Sequence, residues 1–554
     1  MKNQSSFPAL LTACALFALV PLAGSATTNV WNVATTGANP WSTGGNWSPA
    51  GPPGSADTAL FGVIGTSASS TTVNNVVDAN TTITGLSYTN TTSGTWHVTQ
   101  IPSGTTLTVS GNVVVGGNTA NSLVTSAAMT DAGTFVVNGN LTIGNNGSSS
   151  ADQGTILDLS TLSNFVYNAS SGTITMSTGN RSGANFNLAG VSNNITVGTW
   201  NHNVASTSSG ASGTVTMGAG TNIINVGIFN IGAARESATV TFPATGGLKL
   251  RGTGGTDNDR ATLVVGNRSS GNSSATSSSG TLSFNGHPID AKVSTLTLGE
   301  NTQNSNGSLT ENGIFSFNQG TFDATTINMA VISSGNTQAG SIANATITVG
   351  GGTLIVGTGG LSLVNLAGTG AGDVATGNLN ILGGTVTCAG SITKTTAAGT
   401  GNISISSGFL TVAGTIGSAS IPVDSLNLTN GTLTLPAAAS ASATVTNLNS
   451  GGTTNMISVS SVAAITVYPT QFPLIKYTTS SGDLTIIGLG TLPGIFQGYI
   501  SNNTANLSID VVFTGGPPPV QTGHLGRHSQ RQLGHHHGEL EERAALQPER
   551  LFHV

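Results

Sequence analysis

The residues whose types and spacing suggest chemistry are few. The densest polar run is Gly255-Thr256-Asp257-Asn258-Asp259-Arg260. On a strand, Asp257 and Asp259 share a face and could hold Ca²⁺ or work as an acid/base pair. In a turn the same residues cap backbone amides and meet solvent, and with no second acidic cluster or histidine nearby the turn is the favoured reading. Asp290, Glu300, Glu311 and Asp323 follow at irregular spacing. A polysaccharide-cleaving enzyme would need several such acids, or acids with Arg or Lys, aligned on neighbouring structural units.

Three of the five tryptophans, Trp31, Trp41 and Trp47, stand among Pro40, Pro49, Pro52 and Pro53. Indoles stack on the apolar faces of sugars, so these three are candidate ligand-binding residues. They are also what a stacked fold needs to cover an exposed end. His97, His202 and His287 are far apart and each reads as a lone surface or turn residue. Cys388 occupies an apolar repeat position and reads as a small buried hydrophobe. Gly350-Gly351-Gly352 opens no helix, so it gives no phosphate cradle.

The chain that must position these groups has 554 residues, of which 14 are Lys or Arg and 20 Asp or Glu. Charged residues make up 6%, against about 25% in an ordinary soluble domain. A net charge of −6 offers no basic footprint for nucleic acid. It is also too small to hold a polyelectrolyte open.

The strongest signal is internal repetition. Gly320, Gly352, Gly384, Gly408 and Gly431 each follow two apolar residues spaced by two: Phe315 and Phe317, Ile347 and Val349, Leu379 and Ile381, Ile403 and Ile405, Leu426 and Leu428. Each precedes another such pair: Phe322 and Ala324, Leu354 and Val356, Val386 and Cys388, Leu410 and Val412, Leu433 and Leu435. Alternation of period two buries one side of a short strand. Units of this length that cannot bury their own stripe must stack. Gly, Thr and Val are too frequent for helices. The chain therefore reads as all-β: a single β-solenoid, a right-handed parallel β-helix, with capped ends. A set of β-sandwiches is the alternative, though it would spend more aromatics on its cores. At about 25 residues per coil the solenoid would have some 18 coils and be about 85 Å long.

The expected organisation is a signal peptide over 1–26, a Trp- and Pro-rich cap over 27–85, repeats over 86–465, closing strands over 466–513, and a linker with a tail over 514–554. The signal rests on Lys2, the apolar run from Ala9 to Ala23 and the small residues Gly24-Ser25-Ala26. Cleavage there leaves Cys388 as the one cysteine, with no intrachain disulfide. No later run is apolar and long enough to span a bilayer as a helix.

Six of the nine histidines and eight of the 34 charges fall in the last 31 residues. The tail can be read as a His-rich metal tract or as unstructured sequence. The favoured reading is an out-of-frame translation. Shifting the codons of His524 to Ala544 forward by one base permits a Trp- and Asn-rich string that echoes Trp41 to Trp47, as if a second cap once followed.

The opening from Trp31 through Trp41 to Gly45-Asn46-Trp47-Ser48-Pro49, coils such as Gly352-Thr353-Leu354, and the closing Phe472-Pro473-Leu474-Ile475-Lys476-Tyr477 resemble bacterial surface proteins with autotransporter-associated β-strand repeats. The resemblance covers most of residues 28 to 513. It implies a passenger-type β-helix displayed or secreted by a Gram-negative-like cell. No C-terminal membrane β-barrel segment follows, so that family's self-translocation route is not implied. The expected function is that of an exported, non-enzymatic surface, adhesive or matrix protein. Its expected partners are extracellular polysaccharide or cell-surface components, with no cofactor beyond the Ca²⁺ considered at Asp257 and Asp259. The alternatives are a polysaccharide-degrading β-helix enzyme and a carbohydrate-binding protein using the tryptophans.

Overall fold

The structure, a computed structural model, describes residues 26–117, 124–145, 153–177, 182–203, 212–234, 236–268, 277–302 and 310–518. Residues 1–25 of the expected signal peptide and the tail from Pro519 lie outside the described residues.

One coil shows how the sequence folds. The strand Thr310–Phe317 alternates polar and buried residues, and Gly320–Ile332 follows after a two-residue corner. Gly320 turns that corner at φ +81°, and a Cβ there would lie 2.0 Å from the Ile289 carbonyl oxygen of the coil below. Only glycine tolerates both conditions. The long strand bends near Ala324 and Thr326, where its register shifts, so its two halves enter different sheets. Each coil thus contributes to three parallel sheets. Thr310–Phe317 pairs with Ile342–Val349 in the first. The halves of Gly320–Ile332 pair with those of Thr353–Leu366 in the second and third.

The alternation anchored on glycine is the register itself. Phe315 pairs with Ile347, Ile347 with Leu379, Leu379 with Ile403, and Ile403 with Leu426. Phe322, Leu354, Val386, Leu410 and Leu433 form a second column. These side chains are 0% exposed, and every inward column runs along one continuous apolar core. Cys388 lies buried between Val356 and Val412, as expected of a small hydrophobe.

The fold is 61% strand and 1% helix, a parallel β-solenoid of about 14 turns, and no set of sandwiches. There are fewer turns than the 18 anticipated because most coils are longer. Bonded asparagines on adjacent coils are 35 residues apart at Asn301 and Asn336 but 24 apart at Asn378 and Asn402. At ~4.8 Å per coil the stack is about 67 Å long. Extra residues lie in the corner between the third sheet and the first, as in the 333–341 and 367–373 connections, and between the second and third in the 252–260 loop.

Both ends depart from parallel pairing. At the start, Thr28–Trp31 has the parallel Thr58–Phe61 on one edge and the antiparallel Trp47–Ser48 on the other. At the finish, Thr470–Gly482 runs parallel to Ala443–Gly451 but antiparallel to Ser508–Gly515, which is antiparallel to Gln497–Asn503 as well. Among the described residues no helix is long and apolar enough to cross a membrane.

Candidate functional site

Charge is concentrated on the second sheet. Parallel register sets Lys249 of Gly247–Arg251 beside Asp290 of Ile289–Asn301, and Lys292 beside Asp323 on the next coil. Between them a loop folds back after Gly252, whose N–H donates to the Asp259 carbonyl at 3.1 Å, and returns Asp257, Asp259 and Arg260 to the same surface.

Arg251 organises this patch. Its side chain is 2% exposed, a depth at which an arginine needs every N–H paired. Nε donates to Asp257 Oδ1 at 2.9 Å. One terminal nitrogen donates to the carbonyls of Leu250 and Asp290 at 2.9 and 2.8 Å. The other donates to Asp257 Oδ1 and Asp290 Oδ2 at 2.8 and 2.7 Å. These contacts use all five guanidinium N–H groups. Arg260 grips Asp323 through both carboxylate oxygens at 2.9 and 3.1 Å, and Lys292 adds a third contact at 2.8 Å.

The structure therefore brings Asp257, Asp290 and Asp323 together with Arg251, Arg260 and Lys292 across three coils. The Arg251 hydrogen bond, then its charge, holds the Asp257 carboxyl below the ordinary carboxylate range. Burial alone would raise Asp323, but the hydrogen bonds from Arg260 and Lys292 outweigh it and hold that carboxyl low as well. A glycosidic general acid needs the opposite, a carboxyl that keeps its proton near neutrality. What this patch does chemically is neutralise charge and clasp coils together.

Asp259, the other candidate metal ligand, turns away from Asp257 and accepts from Thr256 N and Oγ1 at 3.2 and 2.7 Å. The two aspartates thus sit in the capped loop that the turn reading describes. Among the described residues no group of three or more His, Cys, Asp or Glu stands close enough to hold a metal.

Trp31, Trp41 and Trp47 are 1%, 2% and 2% exposed. Trp47 packs edge-on against both others, with centroids 5.0 and 5.3 Å away, and Phe61 contacts all three. Trp41 Nε1 donates to Asn75 Oδ1 at 2.8 Å and Trp47 Nε1 to the Trp41 carbonyl at 2.9 Å. The indoles form a plug over the first coil, and their faces are covered by one another.

The histidines correct the sequence reading. His97 and His202 are 0% exposed rather than on the surface or in turns. His202 fills an inward column between Met176 and Ile231. Nε2 of His97 lies 2.6 Å from the Gly62 carbonyl oxygen. Burial lowers these imidazoles to about 3 and about 4 respectively. His287 stacks on Phe242 at 4.5 Å.

Two glutamates are also interior, in the corner between the third and first sheets. Glu236 accepts from Ser177 Oγ at 2.8 Å, and Glu311 accepts from Ser278, which also receives a 3.3 Å contact from Arg268. Burial pushes both carboxyls up to about 8.

Apart from the buried Lys394, whose ammonium donates to Asp424 at 2.6 Å, much of the remaining ordered polar chemistry is repetitive. On the outer side of the first sheet Asn344 donates to Asn312 at 3.0 Å, Asn402 to Asn378 at 2.9 Å, Asn449 to Asn427 at 2.6 Å, and Ser481 to Asn449 at 2.6 Å. On the third sheet Asn230 donates to Asn201 at 2.8 Å. These ladders are spaced one coil apart.

No protein family, no curated protein and no solved structure matches this chain.

Proposed function

We propose that the protein is an exported, non-enzymatic rod that serves as a structural, adhesive or matrix element at the cell surface. It makes weak contacts with extracellular polysaccharide or cell-surface components along its length, so that many weak contacts act together. The observation that carries this reading is a pair of in-register rows of amides and hydroxyls on the first sheet, one through Asn378 and Asn402 and the other through Ser404, Asn427, Asn449 and Ser481. Each further coil adds an amide or a hydroxyl to a row, at ~4.8 Å spacing. The resemblance to passenger-type β-helices and the signal-like leader support export and surface display.

The second reading, a polysaccharide-cleaving enzyme, draws on the convergence of Asp257, Asp290 and Asp323. Their commitment to Arg251, Arg260 and Lys292 weighs against it.

The test is cosedimentation of the full chain with insoluble extracellular polysaccharide, beside a variant with Asn378, Asn402, Asn427 and Asn449 all changed to Ala. Binding that falls in the quadruple variant by more than the product of the single effects supports the rod. Release of new reducing ends, lost in Asp323→Asn, overturns it in favour of the enzyme. Protease shaving of intact Gram-negative cells tests display.

A further inference from the structure

The antiparallel finish of the solenoid contains a carboxylate that the fold leaves half used. Asp510 lies on Ser508–Gly515, the middle of three strands, opposite Pro473 on one side and Ser501 on the other. It is 3% exposed. Its Oδ2 accepts from Nε2 of Gln471 and from Nδ2 of Asn503, the latter at 2.9 Å, and so ties both flanking strands together. Its Oδ1 is buried and has no hydrogen-bond partner among the described residues. Clasping two amides needs one acceptor oxygen, and a neutral amide side chain would supply it. A second, unmet carboxylate oxygen in this position is costly.

Asp510 lines a cavity of about 350 Å³, together with Gln471, Asn503, Ser508 and Lys476. Lys476 is exposed and gives one proton to the Asn506 carbonyl at 2.9 Å. Among the described residues it joins no ion pair, and an ammonium has three protons to give. A second cavity, of about 420 Å³, shares Lys476, Ser440 and Ala441 with the first and continues past Thr444 and Thr415. The pair forms one cleft divided by Lys476, and each half has the size of a small-molecule site.

We propose that this cleft binds a neutral oligosaccharide. One sugar hydroxyl donates to Asp510 Oδ1, a neighbouring hydroxyl oxygen accepts from Lys476, and the next ring occupies the second cavity. A hydroxyl gives and accepts at once, so adjacent hydroxyls satisfy a carboxylate oxygen and an ammonium that stand in the same cleft. The amides and hydroxyls around them suit the same chemistry. One positive and one negative group favour a ligand without net charge, since an acidic sugar meets Asp510 and a cation meets Lys476. Pro473 and Ala441 offer apolar surface to the C–H face of a ring. The site is stoichiometric and sits at one end of the rod, so it does not depend on the ladders.

The experiment is calorimetric titration of the full chain with maltotetraose, cellotetraose and mannotetraose at millimolar concentration. It is run on the parent and on Lys476→Met, Asp510→Asn and Asn402→Ala. The expected result is saturable one-to-one binding of at least one tetrasaccharide. Binding weakens about tenfold or more in Lys476→Met and Asp510→Asn, the loss of one hydrogen bond to a charged group, and is unchanged in Asn402→Ala. Because Lys476 is exposed, Lys476→Met keeps the parent melting temperature even if Asp510→Asn does not. The proposal is overturned if no tetrasaccharide binds, if both cleft variants bind like the parent, or if only an acidic oligosaccharide such as oligogalacturonate binds. Tetrasaccharide binding that tracks Lys476 and Asp510 in a rod that fails to cosediment with polysaccharide supports this site and overturns the ladder reading alone.

Discussion

Arg251 and Asp290 are 39 residues apart in sequence and meet at 2.7 Å, the guanidinium 2% exposed and the carboxylate 56% exposed. The pair joins two coils, with the cation inside and its partner at the surface. Replacing Arg251 by Met keeps much of the volume but strips two backbone carbonyls and two carboxylates of their donor. Since water can reach the carboxylates, the expected loss is about 2 kcal/mol by chemical denaturation. Arg251→Lys should recover only a part, because one ammonium cannot reproduce the planar fork. An Arg251→Met protein as stable as the parent would show that the clasp contributes nothing.

The Trp47 plug should behave as core. Trp47→Ala is expected to cost about 3–5 kcal/mol. In the parent, most of the fluorescence should be blue-shifted and resistant to acrylamide, because Trp31, Trp41, Trp47 and Trp200 are all 2% exposed or less and Trp96 alone of the five is half-buried. Quenching or shifting of this emission by added saccharide would contradict the buried arrangement.

The interior titratable groups set opposing pH dependences. Folded Glu236 and Glu311 keep protons up to about 8, whereas the unfolded carboxyls release them above 4.5. Stability is therefore lost as pH rises through that window. His97 and His202 stay neutral down to about 4 and about 3, whereas the unfolded imidazoles charge below 6.5. Stability is lost as pH falls through that second window. Each uncompensated group contributes a slope of about 1.4 kcal/mol per pH unit. Between 4.5 and 6.5 the pairs oppose each other, so a stability plateau is expected there, with losses on both sides. Glu236→Gln should flatten the alkaline side, measured by denaturation from pH 4 to 9. A steady rise in stability from pH 5 to 9 would refute the account.

Two glycines with similar backbone angles should differ in cost. Gly320 has φ +81° and its Cβ would meet the Ile289 carbonyl oxygen at 2.0 Å, whereas Gly286 has φ +86° and nothing within 4 Å. Gly286→Ala should therefore cost about 1 kcal/mol, the strain of the angle alone. Gly320→Ala should cost clearly more, because two coils must also separate. Equal melting temperatures for the two variants would mean that the corner is not tightly packed.

The inward columns were legible because their signal is local. Phe315, Phe317, Gly320 and Phe322 lie within eight positions, and the same spacing around Gly352 marks the residues that stack on them. The charge clasp was not legible. Asp290 and Asp323 meet their cations only through coil lengths set by the connections at the corners, and those lengths differ from coil to coil. The same connections misled the turn count. His97 and His202 were misplaced because a polar residue type was read as surface, although His202 occupies an apolar column. The use of Asp510 was hidden for a related reason, since its environment comes from two strands that approach it antiparallel.

That reversal of strand direction at each end has a consequence for assembly. A parallel stack ending in a bare strand would be a template on which another copy could continue the ladder, as fibrils elongate. Here the outer edge of Thr28–Trp31 is already taken by Trp47–Ser48, and Ser508–Gly515 and Gln497–Asn503 lie across the finish. Continuation of the ladder is thereby obstructed on the third sheet at the start and on the first sheet at the finish.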